Sequence, residues 1–420
     1  MREEVLYLDV EEARQRVLAA VEPLAAEAVP LMQALGRTLA EPICASEAIP
    51  PFDNTAMDGY AVRATDVAGA SPEHPVTLHV LAELPAGSVA REPLQAGMAM
   101  RIMTGAPLPP GADAVVPFEE TDEGQGSNDR LGRVRIYRAA RPGDHIRRAG
   151  EDVRRDEIVL EAGTLLRPSE IGLLAALGYA SAQVHRRPRV AVLATGDELV
   201  DIGQPLAPGK IRNANSYSNA AQVLKYGGEP IVLPIARDTV ADVTARIEEG
   251  LGRGADLFLT SGGVSLGDYD LVKRVLHDLG HIDFWQVRMQ PGKPMAFGHL
   301  RGVPLLGLPG NPVSAMVVFE QFARPLLLKL QGRRRLRKPE IEATLLDEAK
   351  AYADRVRFLR AIVTQNPDGA WVARLTGPQG SGILSSMVRA NALAVIPKQP
   401  GSLPAGTRVW MQMLDWPEVE

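Results

Sequence analysis

Apolar and polar positions change their period several times along the chain, and each change marks a different kind of element. Val17, Leu18 and Val21 fall at helical spacing in a polar stretch closed by Pro23, which predicts an N-terminal helix. A second helical pattern covers 31–39. From 48 to about 147 the apolar runs shorten, at 76–81, 114–116 and 134–137, with Pro, Gly and Asp between them. That is the pattern of a β-rich lobe, with 124–132 as a polar loop. From 188 to 330 strand and helix alternate. Strands are predicted at 189–194, 231–235, 256–259 and 303–306, and helices at 215–226, 239–251, 270–279 and 312–330. These strands are apolar along most of their length, so both faces need cover, as in a parallel sheet between helix layers. A basic run closed by proline, 331–340, follows; it reads as a solvated linker or as a phosphate-binding patch. Beyond it, 355–364, 371–375, 393–396 and 408–413 are short strands joined by turns, a small β-barrel or sandwich.

Composition narrows the class. At ~150 residues per domain, 420 residues suggest about three domains. Hydrophobic residues make up 45% and charged residues 23%, which places the chain among globular proteins rather than disordered ones. The formal net charge of −5 gives no global basic field, so no nucleic-acid partner is expected. Cys44 is the single cysteine, which excludes an internal disulfide and a CxxC zinc site. No apolar run approaches the ~18 residues of a membrane helix, and the first residues are too acidic for a signal peptide. The expected location is the cytoplasm, with no membrane partner.

The chemistry concentrates in three loops that follow predicted strands. Thr195-Gly196-Asp197-Glu198 follows the first; Ser261-Gly262-Gly263-Val264-Ser265 follows the third; Pro309-Gly310-Asn311-Pro312-Val313-Ser314 follows the fourth and opens the last helix. Glycines let backbone N–H groups approach an anion, and a helix N-terminus adds positive potential. Open α/β sheets bind ligands outside the carboxyl ends of their strands. The loops match neither GxxxxGK[ST] nor GxGxxG, so a phosphorylated ligand of another kind is expected. Asp197, Glu198, Asp238, Asp268 and Asp270 collect on the same rim. A carboxylate cluster beside phosphate loops suits Mg²⁺. The alternative for Asp238 and Asp270 is helix capping. Lys293, set in Gln290-Pro291-Gly292-Lys293-Pro294, is either a surface lysine or a cation aimed at an oxyanion.

The segment Pro51-Phe52-Asp53-Asn54-Thr55-Ala56-Met57-Asp58-Gly59-Tyr60-Ala61-Val62 resembles the signature of MoeA-type molybdopterin molybdenumtransferases. Arg101-Ile102-Met103-Thr104-Gly105-Ala106-Pro107 is similar to a second block, and 194–199, 261–270, 291–296 and 308–314 to the rest. Gln379-Gly380-Ser381-Gly382 also resembles the family, as does the gephyrin C-terminal domain. The resemblance implies a multidomain α/β protein. Its parts would be a molybdopterin-binding α/β domain (1–24 with 187–330), a small connecting domain (25–47 with 148–186), a β-rich lobe (48–147) and a C-terminal β-barrel (335–420). It implies a homodimer whose site lies between one subunit's α/β domain and the other's β-rich lobe. It implies Mg²⁺-dependent reaction of molybdate with adenylylated molybdopterin, with AMP released and molybdenum inserted into the dithiolene.

On that resemblance Asp58, Thr104, Glu198, Asp238, Asp270 and Lys293 carry catalysis. Thr195, Gly196, Asp197, Ser261, Gly262, Gly263, Ser265, Pro309, Gly310, Asn311 and Ser314 bind the pterin nucleotide. Asp238, Asp268 and Asp270 hold the metal. The barrel is expected to hold nothing able to act on a phosphoanhydride. Some members carry a second lysine where this chain has Gln290. The competing readings are a molybdopterin adenylyltransferase, which is otherwise the expected supplier of substrate, and a scaffold of the gephyrin type. The β-rich lobe and the acid cluster count against them.

Overall fold

The computed structural model describes residues 6–126, 132–262 and 279–416. Its largest sheet has seven strands in the order Leu6–Leu8, Gly280–Val287, Pro294–Leu300, Val303–Leu308, Leu257–Ser261, Arg189–Ala194 and Glu229–Val232. Arg189–Ala194 is buried after its first residue because both faces are covered. Val190 and Val192 join one core with the 312–330 helix, while Ala191 and Leu193 join another with Val240–Gly252. Alternate residues of a strand point to opposite faces, so one apolar run serves two cores.

The sheet departs from the expected parallel arrangement at one strand. Pro294–Leu300 runs antiparallel to both its neighbours, in hairpins with Gly280–Val287 and Val303–Leu308. Arg301 (φ 45°) and Gly302 (φ 86°) make the second turn. The N-terminal helix is Val10–Ala19, preceded by a short strand that extends the sheet beside Gly280–Val287. The second expected helix is absent. Residues 31–34 form one tight turn, Gly36 takes φ 75°, and Thr38 and Leu39 bridge to Leu165 and Val184. Met32 and Leu35, which completed the helical pattern, are exposed.

Ala26–Pro30 pairs with Ser181–His185, and Ile43–Cys44 with Ile158–Leu160, around a small core under helix Pro168–Ala176. The β-rich lobe has five strands in the order Ala114–Pro117, Gly59–Val62, Met98–Ile102, Val76–Leu84 and Arg133–Ile136. Apolar clusters pack on its two faces. The C-terminal unit is a closed barrel of Glu340–Leu345, Val356–Gln365, Trp371–Leu375, Ala392–Ile396 and Thr407–Met413.

The barrel is continuous with the large core rather than appended to it. Phe358, Met387 of the short helix Ser385–Arg389, and Leu393 share a cluster with Val313, Phe322 and Leu326 of the 312–330 helix. Met289–Gln290 pairs with Val356–Gln365 across the junction. Among the described residues no helix is long and apolar enough to cross a membrane.

Candidate active site

Three strands end side by side, with Ala194 opposite Ser261 and Ser261 opposite Leu308. Their loops therefore meet. The Thr195 N–H donates to the Ser261 carbonyl at 3.2 Å, and the Gly262 N–H to the Leu308 carbonyl at 3.3 Å. Gly262 takes φ 92°, and a Cβ there would lie 2.8 Å from the Thr195 carbonyl oxygen. Only glycine lets these backbones approach so closely. Asn215 Nδ2 donates to the Gly310 carbonyl at 2.7 Å. A cavity of about 130 Å³ opens between Thr195, Glu198, Asn213, Asn215, Ser261 and Gly310.

The acids lie one strand outward. Thr195 and Ala236 bridge in parallel, which brings Asp197 and Asp238 face to face. Each backbone N–H points at the other's carboxylate at 3.4 Å, and both side chains are exposed. Gly196 takes φ 146°; a Cβ there would meet the Glu198 carboxylate at 2.5 Å, so Glu198 folds back over it. Lys210 donates to the Asp197 carbonyl. Asp238 does not cap the next helix. Thr239 does, its hydroxyl accepting from the Asp242 N–H at 3.2 Å. Among the described residues no three acid, His or Cys side chains converge into a metal centre on their own. Gly263, Ser265, Asp268, Asp270 and the helix expected from 270 lie outside the described residues.

The last loop opens the 312–330 helix. Pro309 is buried, Gly310 and Asn311 are exposed, and Ser314 is buried in the first turn. Asn311 stands at the cap position without a side-chain capping bond. The Val313 N–H donates to the Ser381 carbonyl of the barrel at 3.1 Å. Lys293 is exposed, in a turn that begins at the cis Gln290–Pro291 bond. That turn is seated on the last helix, since a Cβ on Gly292 would lie 2.3 Å from Val318 Cγ2. The Lys293 ammonium lies 5.6 Å from the centre of the Tyr7 ring. Lys293 and Asp238 flank opposite ends of the rim, four strand intervals apart. At about 4.8 Å per interval that is roughly 19 Å, room for an extended ligand rather than one phosphate.

Arg360 escaped the sequence reading. It is fully buried on a barrel strand. Its Nε donates to Ser386 Oγ and its Nη2 to the Gly380 carbonyl, each at 3.0 Å. Its Nη1, itself fully buried, has no hydrogen-bond partner among the described residues. Burial, and secondarily the Arg357 guanidinium, push its pKa down. Gly380 adjoins Ser381, which accepts from the first turn of the last helix, so an uncompensated guanidinium stands behind that helix start. The signal for it was an arginine between Leu359 and Ala361 in an otherwise apolar stretch.

In the β-rich lobe, Asp58 and Thr104 meet across a gap of 46 residues in sequence. The Thr104 N–H and hydroxyl both donate to Asp58 Oδ1 at 2.7 Å. These bonds, backbone first, hold the Asp58 carboxyl below the usual carboxylate range. Gly59 is required beside it, because a Cβ would lie 2.1 Å from the Val116 carbonyl oxygen. Asp53 fixes the start of the motif through the Ala149 N–H at 2.8 Å and Arg148 Nη1 at 2.6 Å. Among the described residues no hydrogen bond or ion pair joins Asp58 or Thr104 to the rim of the large sheet.

Three family descriptions match nearly the whole chain: MoeA N-terminal region (domain I and II) over 8–178, probable molybdopterin binding domain over 191–329, and MoeA C-terminal region (domain IV) over 342–414. Molybdopterin molybdenumtransferase 2 of Mycobacterium tuberculosis is 42% identical over 91% of this chain and 94% of its own. The molybdopterin molybdenumtransferase of Haemophilus influenzae is 37% identical over 96% and 98%. The crystal structure of the molybdopterin biosynthesis MoeA protein from Pyrococcus horikoshii superposes with a TM-score of 0.83 at 32% identity, covering 98% of this chain and 100% of that one. Full-length similarity at this identity, together with the shared fold, places the chain in the MoeA family.

Proposed function

We propose that the chain is a molybdopterin molybdenumtransferase of molybdenum cofactor biosynthesis, acting in the cytoplasm. It takes adenylylated molybdopterin and molybdate, breaks the pyrophosphate bond, releases AMP and leaves molybdenum in the dithiolene. One observation carries this reading. Glycine-rich loops and the start of the 312–330 helix meet at the ends of three neighbouring strands, with an acid pair farther along the same rim. That is an oxyanion site beside a cation site, which phosphoanhydride cleavage by an anionic co-substrate requires.

The backbone amides of Gly310, Asn311 and Ser314 bind phosphate oxygens, since they open the helix and, unlike those of Thr195, Gly196, Gly262 and Val313, are not given to another carbonyl among the described residues. Arg360 and Lys293 balance negative charge toward the barrel flank, the flank suited to the small oxyanion. Asp197 and Asp238 fit Mg²⁺. They are exposed hard oxygen donors in the loops after adjacent strands, and no described cation pairs with either carboxylate. One or two carboxylates plus substrate phosphates are the usual holding set for that ion. When bound, Mg²⁺ neutralises charge on the breaking phosphoanhydride. Asp58, fixed by Thr104, orients a hydroxyl or water as an ionised acceptor. Because that pair lies on the β-rich lobe, the site in this reading is completed by a homodimer, one subunit's lobe against its partner's rim. A molybdopterin adenylyltransferase is the natural supplier of substrate.

The test is AMP release from adenylylated molybdopterin by the purified full chain, with and without molybdate and Mg²⁺. Release is expected only when both are present. An equal rate without molybdate would make the protein a simple hydrolase and overturn the transfer reading.

A further inference from the structure

The basic run at 331–340 lies at the far end of the last helix, whose 19 residues span about 28 Å at 1.5 Å each, well away from the rim. Gly332 (φ 73°) turns the chain out of that helix. Arg333, Arg334 and Arg335 then line a cleft of about 460 Å³ whose other wall is the turn at 162–167. Gly163 (φ 83°) accommodates them: a Cβ there would lie 2.9 Å from Arg334 Cγ and 3.0 Å from its Nε, so the bare glycine lets that side chain lie flat on the turn.

Charge in this cleft is unbalanced. Among the described residues none of the three arginines has an ion pair. Arg333 is half-buried, its Nε has no partner, and burial together with the Arg324 guanidinium pushes its pKa down. The wall holds one carboxylate, Glu170, which is already committed. It accepts from the Arg167 N–H at 2.9 Å, Arg167 Nη2 at 2.6 Å and Ser169 Oγ at 3.1 Å. Its carboxyl is held at about 2, chiefly by the Arg167 side chain, so it stays ionised at neutral pH. Three arginines line one cleft whose described carboxylate is already paired with Arg167, so their charges repel unless an anion joins them, and their planar forks match phosphate oxygens. Among the described residues no aromatic side chain lines the cleft to stack a base, so recognition falls on the anionic groups.

We propose that this cleft binds a small polyanion bearing two or more phosphate groups, either an inorganic polyphosphate or the phosphate chain of a nucleotide, at a site separate from the rim. Titration calorimetry of the full chain at fixed ionic strength, with tripolyphosphate, ATP and inorganic phosphate, tests it. The double variant Arg334→Gln/Arg335→Gln changes two exposed side chains, and thermal unfolding checks that it folds as the parent does.

The expected result is tripolyphosphate binding that weakens at least tenfold in the double variant and persists in Lys293→Ala, which alters the rim. Inorganic phosphate should bind far more weakly than tripolyphosphate. Equal affinities for ATP and tripolyphosphate assign recognition to the phosphate chain, and tighter ATP assigns it to a nucleotide. Unchanged tripolyphosphate binding in the double variant overturns the proposal. So does its complete loss in Lys293→Ala, or tighter binding of a single-stranded RNA oligonucleotide than of tripolyphosphate.

Discussion

Two buried arginines, one in the β-rich lobe and one in the barrel, solve the same desolvation problem in opposite ways. Arg101 is compensated. Its Nη1 reaches Glu83 and its Nη2 reaches Glu123, each at 2.7 Å, and its guanidinium lies 4.4 Å from the centre of the Phe118 ring. Its pKa is raised, chiefly by the bond to Glu123. Arg360 is met only by neutral oxygens, has a nitrogen to spare, and has its pKa lowered by burial. A buried charge closed by carboxylates has no capacity left for a ligand. One left open destabilises the empty protein and becomes favourable when an anion arrives. The first arrangement locks a lobe in shape; in the function proposed above, the second supplies positive charge behind an anion site.

The largest effect that tests this contrast is on stability. Arg101→Met removes the guanidinium that reaches both Glu83 and Glu123 and leaves an apolar side chain in its buried place, and a loss of about 3–5 kcal/mol is expected from urea unfolding. Turnover per folded molecule should hold. A loss below about 1 kcal/mol would mean that the ion pair is not what fixes the lobe.

Arg360→Met should behave in the reverse sense. AMP release in the presence of molybdate should fall by roughly 10²–10³-fold, the cost of removing one oxyanion donor. Thermal stability should stay level or rise, because an uncompensated charge has gone. Parent-like turnover would strip Arg360 of a ligand role.

Asp238→Asn is expected to act more mildly, by roughly tenfold or more in turnover, with a higher Mg²⁺ concentration needed for half-maximal rate. Since Thr239 and not Asp238 caps the helix, stability should move by less than about 0.5 kcal/mol. An unchanged Mg²⁺ requirement would remove Asp238 from the metal site.

The smallest effect concerns pH. The Asp58 carboxyl is depressed in the folded chain by the Thr104 N–H and hydroxyl, so it stays ionised as pH falls and is lost only below its ordinary range. Thr104→Val removes the hydroxyl and keeps the amide, so the acid limb of kcat/KM should move to higher pH. A limb that stays in place would show that Asp58 ionisation does not control the rate.

The sequence by itself determined the elements whose pattern is local. The strands Arg189–Ala194 and Trp371–Leu375 were readable from runs of apolar residues, and the last helix from its apolar spacing and the proline at its start. The glycine loops were readable because a strand end followed by glycine admits few backbone paths. The family motifs marked Asp58 and Thr104 but not their mutual bond, which joins distant strands.

The tertiary structure alone decided the rest. Pro294–Leu300 runs against its sheet because a short turn at 301–302 leaves no length for a crossover. The 31–39 pattern failed as a helix because Gly36 and the bridges to Leu165 and Val184 outbid a weak local propensity. Asp238 lost its alternative role when Thr239 took the cap. Arg101 and Arg360 both sit within strands that are apolar around them, yet their roles differ because carboxylates from elsewhere in the chain reach one and not the other. Compensation of a buried charge is a property of what packs against it, and one-dimensional order does not carry that information.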